Sequence, residues 1–335
     1  MKSSVETKNK NKKDKTMIVR IAPVVGLALL FPLAAAAAPL AKECGPNKSY
    51  VIGFSQANFK EPYRAHVDHE LQRLVKNYPQ FKLVIADGQA NDNTQVSQVE
   101  NFLTQQVDIL FVSAFEAAPL TPAVSAVYDK GIPVIELDRR TTGEKFTSFV
   151  SGDNRAIAHE AGLYAASLLP DGGDVAILEG LPSSSPAIER LEGFKAGIST
   201  NPKVKIIAVQ PVDWMQDKAV EVFSAMLQAH PDIKLVYTSN DLAAAGAYIA
   251  VKQAGKLGQV KIIGTDGLPG PSGGIRAVAE GQWTATYVYP TGAAEALDLA
   301  KKILIDCASS VPRLVTVPTQ RIDASNAKEL YAKGE

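Results

Sequence analysis

The chain has 335 residues, enough for two compact lobes, and 46% of them are hydrophobic against 21% charged. That is a globular composition, which excludes disorder beyond the ends. Its 35 basic and 35 acidic residues balance, so no electrostatic footprint for nucleic acid is present.

In chain order, the Lys-rich "KNKNKKDK" and Arg20 precede an apolar run, "IAPVVGLALLFPLAAAAAPLA", that closes on small residues. This pattern predicts a cleaved secretory signal over residues 1–41. Pro23, Pro32 and the drift into alanine argue against a retained membrane anchor. Lys42 and Glu43 ahead of Cys44, where a lipobox needs small residues, argue against a lipoprotein. Removing residues 1–41 takes away seven basic and two acidic residues and leaves 28 and 33, a net charge of about −5, as expected of a secreted protein that binds no nucleic acid. In an oxidising compartment Cys44 and Cys307 could be a disulfide, and two buried thiols would read the same.

After the signal, apolar runs of strand type alternate with amphipathic stretches. Strands are predicted at Tyr50–Phe54, Phe81–Ala86, Asp108–Val112, Pro133–Leu137, Asp174–Leu178, Val204–Val209, Ile233–Thr238, Val260–Gly264 and Trp283–Val288. Helix-length segments lie between them, such as Thr94–Gln105, Ala156–Leu168, Pro186–Thr200, Lys218–Ala229 and Leu242–Ala254, and His66 and His69 fall in another. Such alternation means an α/β fold whose parallel sheets carry helices on both faces. Nine or ten strands are many for one open sheet, and the polar "TTGEKFTSFVSGDN" (Thr141–Asn154) reads as a crossover between two lobes. A (β/α)8 barrel would fit the count but not the chemistry at the strand ends. "IPVIELDRR" ends a buried strand on Asp138, Arg139 and Arg140, and other strands run into "SQANFKEPYR", Ser113, Asn240-Asp241 and Asp266. Doubly wound sheets place ligands at these carboxyl ends, although Asn240 and Asp153 also fit simple helix N-caps.

No catalytic constellation survives inspection: the serine elbow, the phosphate loop and the zincin helix are missing. His66 and His69 flank Asp68 in a predicted helix, but three-residue spacing without a third ligand favours a solvated face over a metal. Binding without chemistry leads, so neither enzyme activity nor a cofactor is expected.

Taken together, "IPVIELDRR", "SSSPAIERLEGF", "VYTSNDLAAAGA", "IIGTDGLPG" and "YVYPTG" stand in an order and spacing that resembles the type I periplasmic sugar-binding proteins of ABC importers. The resemblance runs from about Lys48 to Leu314, and "VIGFSQ" with "EPYR" is closest to the galactofuranose branch. It implies two Rossmann-like doubly wound parallel-sheet lobes joined by a three-segment hinge. The N-terminal lobe would be residues 42–152 plus 289–309, and the C-terminal lobe residues 153–288 plus 310–335. Both cysteines then fall in the first lobe, at the edge away from the cleft, where a Cys44–Cys307 bond is geometrically permitted.

The resemblance also implies the ligand residues. Asp138 and Arg139 match the family's Asp-Arg pair for sugar hydroxyls, and Arg190 matches the second-lobe arginine. Asn240 and Asp266 match later strand-end polar groups, and Trp214 an aromatic. Glu61, Tyr63 and Arg64 fall at first-loop positions, with Phe59 and Asp241 as weaker candidates. Carboxylates and guanidinium forks suit hydroxyls, and rings suit the C–H faces of sugars. Ser113 and Tyr289 depart from the ribose binders' amides, and Glu136 interrupts a normally uncharged strand, so the ligand class widens to a pentose, hexose, furanose or sugar alcohol. Arg140 is expected to be a supporting or surface residue. A monomeric periplasmic receptor that closes on its sugar and docks an ABC permease is the function implied. Alternatives are a receptor for a membrane chemotaxis or two-component sensor, and a repressor-type effector-binding protein, which would need an N-terminal helix-turn-helix.

Overall fold

The computed structural model describes residues 40–334, so the expected signal segment lies outside the described residues apart from Leu40 and Ala41. Two six-stranded sheets organise the rest. The first contains β1 (Tyr50–Gln56), β2 (Phe81–Asp87), β3 (Ile109–Val112), β4 (Val134–Leu137), β5 (Ser148–Gly152) and, from late in the chain, β11 (Leu314–Val317). Its order is β11-β5-β4-β3-β1-β2, and every pairing is parallel. The second contains β6 (Gly173–Glu179), β7 (Val204–Pro211), β8 (Ile233–Thr238), β9 (Lys261–Ile263), β10 (Ala285–Tyr287) and β12 (Arg321–Asp323), in the order β12-β10-β9-β8-β6-β7. There only the edge pair β10–β12 is antiparallel.

Both sheets are doubly wound, with the switch in strand order beside β1 and β6, where such folds open a ligand crevice. The central strands are buried on both faces, which is why "ILFV" reads as an unbroken apolar run and "VIEL" as one broken only by Glu136. Helices α1 (Pro62–Leu74), α2 (Asp92–Thr104) and α3 (Ala117–Asp129) follow the early strands of the first sheet. Helices α4 (Asn154–Leu168), α5 (Ser185–Ile198), α6 (Gln216–Ala229), α7 (Asp241–Gln253) and α8 (Gly274–Ala279) accompany the second. Helix α9 (Ala293–Ala300) packs against α1 and runs through a π turn to Cys307, which is bonded to Cys44 with Cα atoms 5.4 Å apart; α10 (Ala327–Lys333) ends the described chain. The disulfide therefore joins the segment before β1 to the end of the α9 arm.

The chain passes between the sheets three times, after β5, after β10 and after β11. Two expectations are corrected. Thr141–Asn154 is not all crossover, because Ser148–Gly152 is a buried strand of the first sheet paired with β4. Residues 310–335 do not all belong with the second sheet, because Leu314–Val317 pairs in parallel with β5. These strands are four and five residues long and flanked by polar residues or proline, so their pairing partners, not their own pattern, make them strands.

Candidate ligand site between the lobes

The carboxyl ends of both sheets face one narrow cavity between the lobes. Nine of the residues singled out from the sequence line it: Glu61, Tyr63, Arg64, Asp138, Arg139, Arg190, Trp214, Asn240 and Asp266. Pro62, Pro186, Leu242 and Leu268 complete the wall. These four were missed because apolar residues in the first turns of helices (Pro62, Pro186, Leu242) or in a strand-end loop (Leu268) look like ordinary packing. Adjacency to charged lining positions was the only signal available.

In the first lobe, β4 delivers Asp138 in a left-handed conformation (φ 65°), which Asp tolerates better than most residues. Its carboxylate is ion-paired with Arg64, which also donates to Ser113 Oγ at 3.0 Å. Burial alone would push the Asp138 carboxyl up, but Arg64 and Arg139 outweigh it and hold it below the usual carboxylate range. Arg139 is more loosely held, 3.5 Å from Glu61 Oε2 and 4.0 Å from Asp138 Oδ2. Burial first and Arg64 second push it down to about 10. The Nε atoms of Arg64 and Arg139 and the indole Nε1 of Trp214 are buried without an acceptor. Buried donors are costly unless paired, so an acceptor reaching any of these three would relieve that cost.

Glu136, in β4, is fully buried. Its Oε1 accepts from Thr141 N at 2.9 Å and from Thr141 Oγ1 at 2.6 Å, bracing the turn that carries Asp138 and Arg139. Burial pushes this carboxyl up to about 7, against the pull of those bonds and of Arg140 and Arg313.

In the second lobe, Arg190 on α5 donates Nε to Asn154 Oδ1 at 2.8 Å, bonds the Ser239 carbonyl, and stands 3.6 Å from Asp266. Burial raises the Asp266 carboxyl well above its ordinary value, and Asp241 adds to this against the pull of Arg190. Trp214 also sits at positive φ (69°), with Arg139 and Arg190 at 5.3 and 5.8 Å from its ring centroid. A β-carbon on Gly180 would lie 2.2 Å from the indole, so only glycine leaves the ring room. Asn240 serves two purposes: its Oδ1 caps α7 through Ala243 N, and its Nδ2 holds the Trp214 carbonyl at 3.1 Å. Asp153 is a helix cap alone, accepting from Ala156 N at 2.9 Å.

Four expected positions do not line the cavity. Ser113 stands behind the Arg64–Asp138 pair. Tyr289 lies under Arg190, whose guanidinium carbon is 4.4 Å from its ring centroid. Asp241 ties the second-lobe loops together, accepting from Leu268 N at 2.9 Å and Thr286 Oγ1 at 2.7 Å. Phe59 is 44% exposed and belongs to neither core nor cavity, because its loop turns outward where Phe59 N bonds Asp87. Arg140 sits at the surface, paired with Glu189 at 2.7 Å. His66, His69 and Asp68 form no metal site; among the described residues no group of three or more such ligands is assembled.

The site thus offers three guanidinium groups, three carboxyls, an amide and two rings, most of them buried. That array suits a small neutral molecule rich in hydroxyls and C–H faces.

The family model described as periplasmic binding protein domain matches residues 52–306. The chain is 31% identical over 223 residues to the ribose import binding protein of Bacillus subtilis, covering 67% of this chain and 72% of that one. It is 29% identical over 295 residues to the galactofuranose-binding protein of Escherichia coli, covering 84% and 91%. Among solved structures, the fructose-binding periplasmic domain of a hybrid two-component system superposes with a TM-score of 0.82 at 35% identity, covering 85% of this chain and 94% of that one. The extent of the family match, together with two doubly wound lobes facing one cavity, places this chain in the periplasmic binding protein family.

Proposed function

We propose that the protein is the sugar receptor of an ABC importer and that it binds a monosaccharide or polyol between its lobes. The observation that carries this reading is the cavity itself. Buried Arg64, Asp138 and Arg139 of one lobe face Arg190, Trp214, Asn240 and Asp266 of the other, and three buried donors await acceptors. Relatives named for ribose, allose and galactofuranose, and structures with bound fucofuranose and myo-inositol, agree with that chemistry. Closure brings second-lobe groups onto a ligand held by the first, and the sugar shifts the open–closed equilibrium only through contacts made in the closed form. The ligand is bound and released unchanged.

The Cys44–Cys307 bond fits an oxidising compartment and supports a periplasmic location reached by cleavage near residue 41. A second reading, a receptor that feeds a membrane sensor, is favoured by the two-component neighbour. We take the working form to be a monomer.

Calorimetry with the mature chain and D-ribose, D-allose, D-fructose, methyl galactofuranoside and myo-inositol tests the proposal. Saturable binding of at least one, lost on Arg139→Ala, is expected. A flat response to all five from folded protein overturns the sugar-receptor reading, and turnover of a bound sugar overturns the view that nothing is chemically changed.

A further inference from the structure

Asn154, 1% exposed at the start of α4, sits where the first passage between the sheets meets the second. An amide offers one acceptor and two donor hydrogens, and all are used here. Its Oδ1 accepts from Arg190 Nε at 2.8 Å. Its Nδ2 donates to Tyr289 Oη at 3.2 Å and to Glu189 Oε2 at 3.3 Å. Tyr289 belongs to the second passage, and the two passages are in direct packing: a β-carbon on Gly152 would lie 2.8 Å from the Tyr289 ring.

Glu189 reaches the other way, its Oε1 accepting from Arg140 Nη2 of the first lobe at 2.7 Å. Around this pair Arg140 N donates to Ser185 Oγ at 3.2 Å and Ala117 N to the Ser183 carbonyl at 3.3 Å. Arg140 directly follows the ligand-facing Asp138 and Arg139, and Glu189 directly precedes Arg190. Each lobe therefore presents a cavity residue and a lobe-to-lobe contact from neighbouring positions.

We propose that Asn154 is a positioning residue that orients Arg190 toward the ligand and, through Glu189, sets a latch to Arg140 that holds the lobes closed without touching the ligand. The role in affinity rests on the sugar-receptor reading; the latch does not. Closure contacts made apart from the ligand raise the fraction of binding-competent protein, and apparent affinity scales with that fraction. The gain falls mainly on dissociation, because the latched form must open before the ligand leaves.

Two measurements on the mature, oxidised chain test this. Small-angle X-ray scattering without sugar compares wild type with Glu189→Gln, Arg140→Ala and Asn154→Ala. A larger radius of gyration in all three variants is expected, and the Arg140→Ala/Glu189→Gln double variant should open no further than either single one. Identical scattering from wild type and variants overturns the latch.

Stopped-flow binding of D-ribose, D-fructose and methyl galactofuranoside gives the second measurement. Glu189→Gln should release sugar roughly three times faster and Asn154→Ala roughly ten times faster, with association little changed. Asn154→Ala/Tyr289→Phe should match Asn154→Ala alone, a non-additivity that simple destabilisation would not produce. Unchanged release from Asn154→Ala, or additive losses, overturns the positioning role. If wild type binds none of the three probes, the sugar reading falls, and scattering still decides the latch. Arg140 lies at the surface and Glu189 is only partly buried, so their variants keep the latch testable should Asn154→Ala fail to fold.

Discussion

Asp138→Asn is the sharpest single perturbation of the cleft. The Arg64 and Asp138 side chains are each 3% exposed and in direct ionic contact. Removing one charge leaves Arg64 with the Ser113 hydroxyl and Glu61 at 3.8 Å. An uncompensated charge of this kind costs about 3–5 kcal/mol, against a total stability of about 5–15 kcal/mol for a typical protein. Asparagine accepts the left-handed backbone at this position, so the cost is electrostatic and not conformational. Urea unfolding at pH 7, with the disulfide intact, should show the full loss. Arg64→Gln/Asp138→Asn should be no less stable than Asp138→Asn, because the stranded charge is gone. The pair's contribution is present above the ordinary carboxylate pKa and is lost as pH falls through the lowered folded value, so wild type and Asp138→Asn should converge in acid. A cost for Asp138→Asn below about 1 kcal/mol, or losses in the double variant that simply add, would refute the view that this is a desolvated, mutually dependent pair.

Glu136 has the opposite sign: its folded pKa, up to about 7, exceeds its ordinary value of 4.5, so its contribution is present below pH 4.5 and lost as pH rises to about 7. Glu136→Gln should therefore gain about 2–3 kcal/mol relative to wild type between pH 5 and pH 8 in denaturant titrations, and parallel curves would count against a buried, titrating carboxyl. Cys44 and Cys307 are 263 positions apart, a span for which the chain-entropy account gives about 5.6 kcal/mol and measured bonds typically about 2–4 kcal/mol. Cys44→Ala/Cys307→Ala should melt roughly 5–15 °C lower while still binding sugar, since the bond precedes β1, away from the cavity; an unchanged melting point would show that the bond does not form. Gly180→Ala should displace Trp214, as its β-carbon would lie 2.2 Å from the ring. Calorimetry should register about tenfold weaker binding, and unchanged affinity would remove Trp214 from the site.

The long helices and the central strands were legible because each pattern is local: 3.6-residue periodicity marks an amphipathic helix, and a short unbroken apolar run a strand buried on both faces. β5 and β11 were not, because Ser148–Gly152 and Leu314–Val317 become strands by pairing with each other and with β4. Charges ending a buried strand announced the site: Asp138 and Arg139 demanded a partner from the sequence onward. The identity of that partner was not local. Arg64 comes from 74 positions earlier, and the choice among Ser113, Asp241 and Tyr289, which stand behind the cavity wall, and Asn240 and Asp266, which line it, turns on side-chain direction. Asn154 read only as the end of a polar crossover, since nothing nearby in the chain shows that its amide meets Arg190, Glu189 and Tyr289. The sequence by itself determined the alternation of strands and helices and which residues carried charge to the strand ends, because those depend on neighbours within a turn or two. Only the tertiary structure decided which charges pair, which face the cavity and which join the lobes, because direction and distance between far-apart residues exist only once both sheets are assembled.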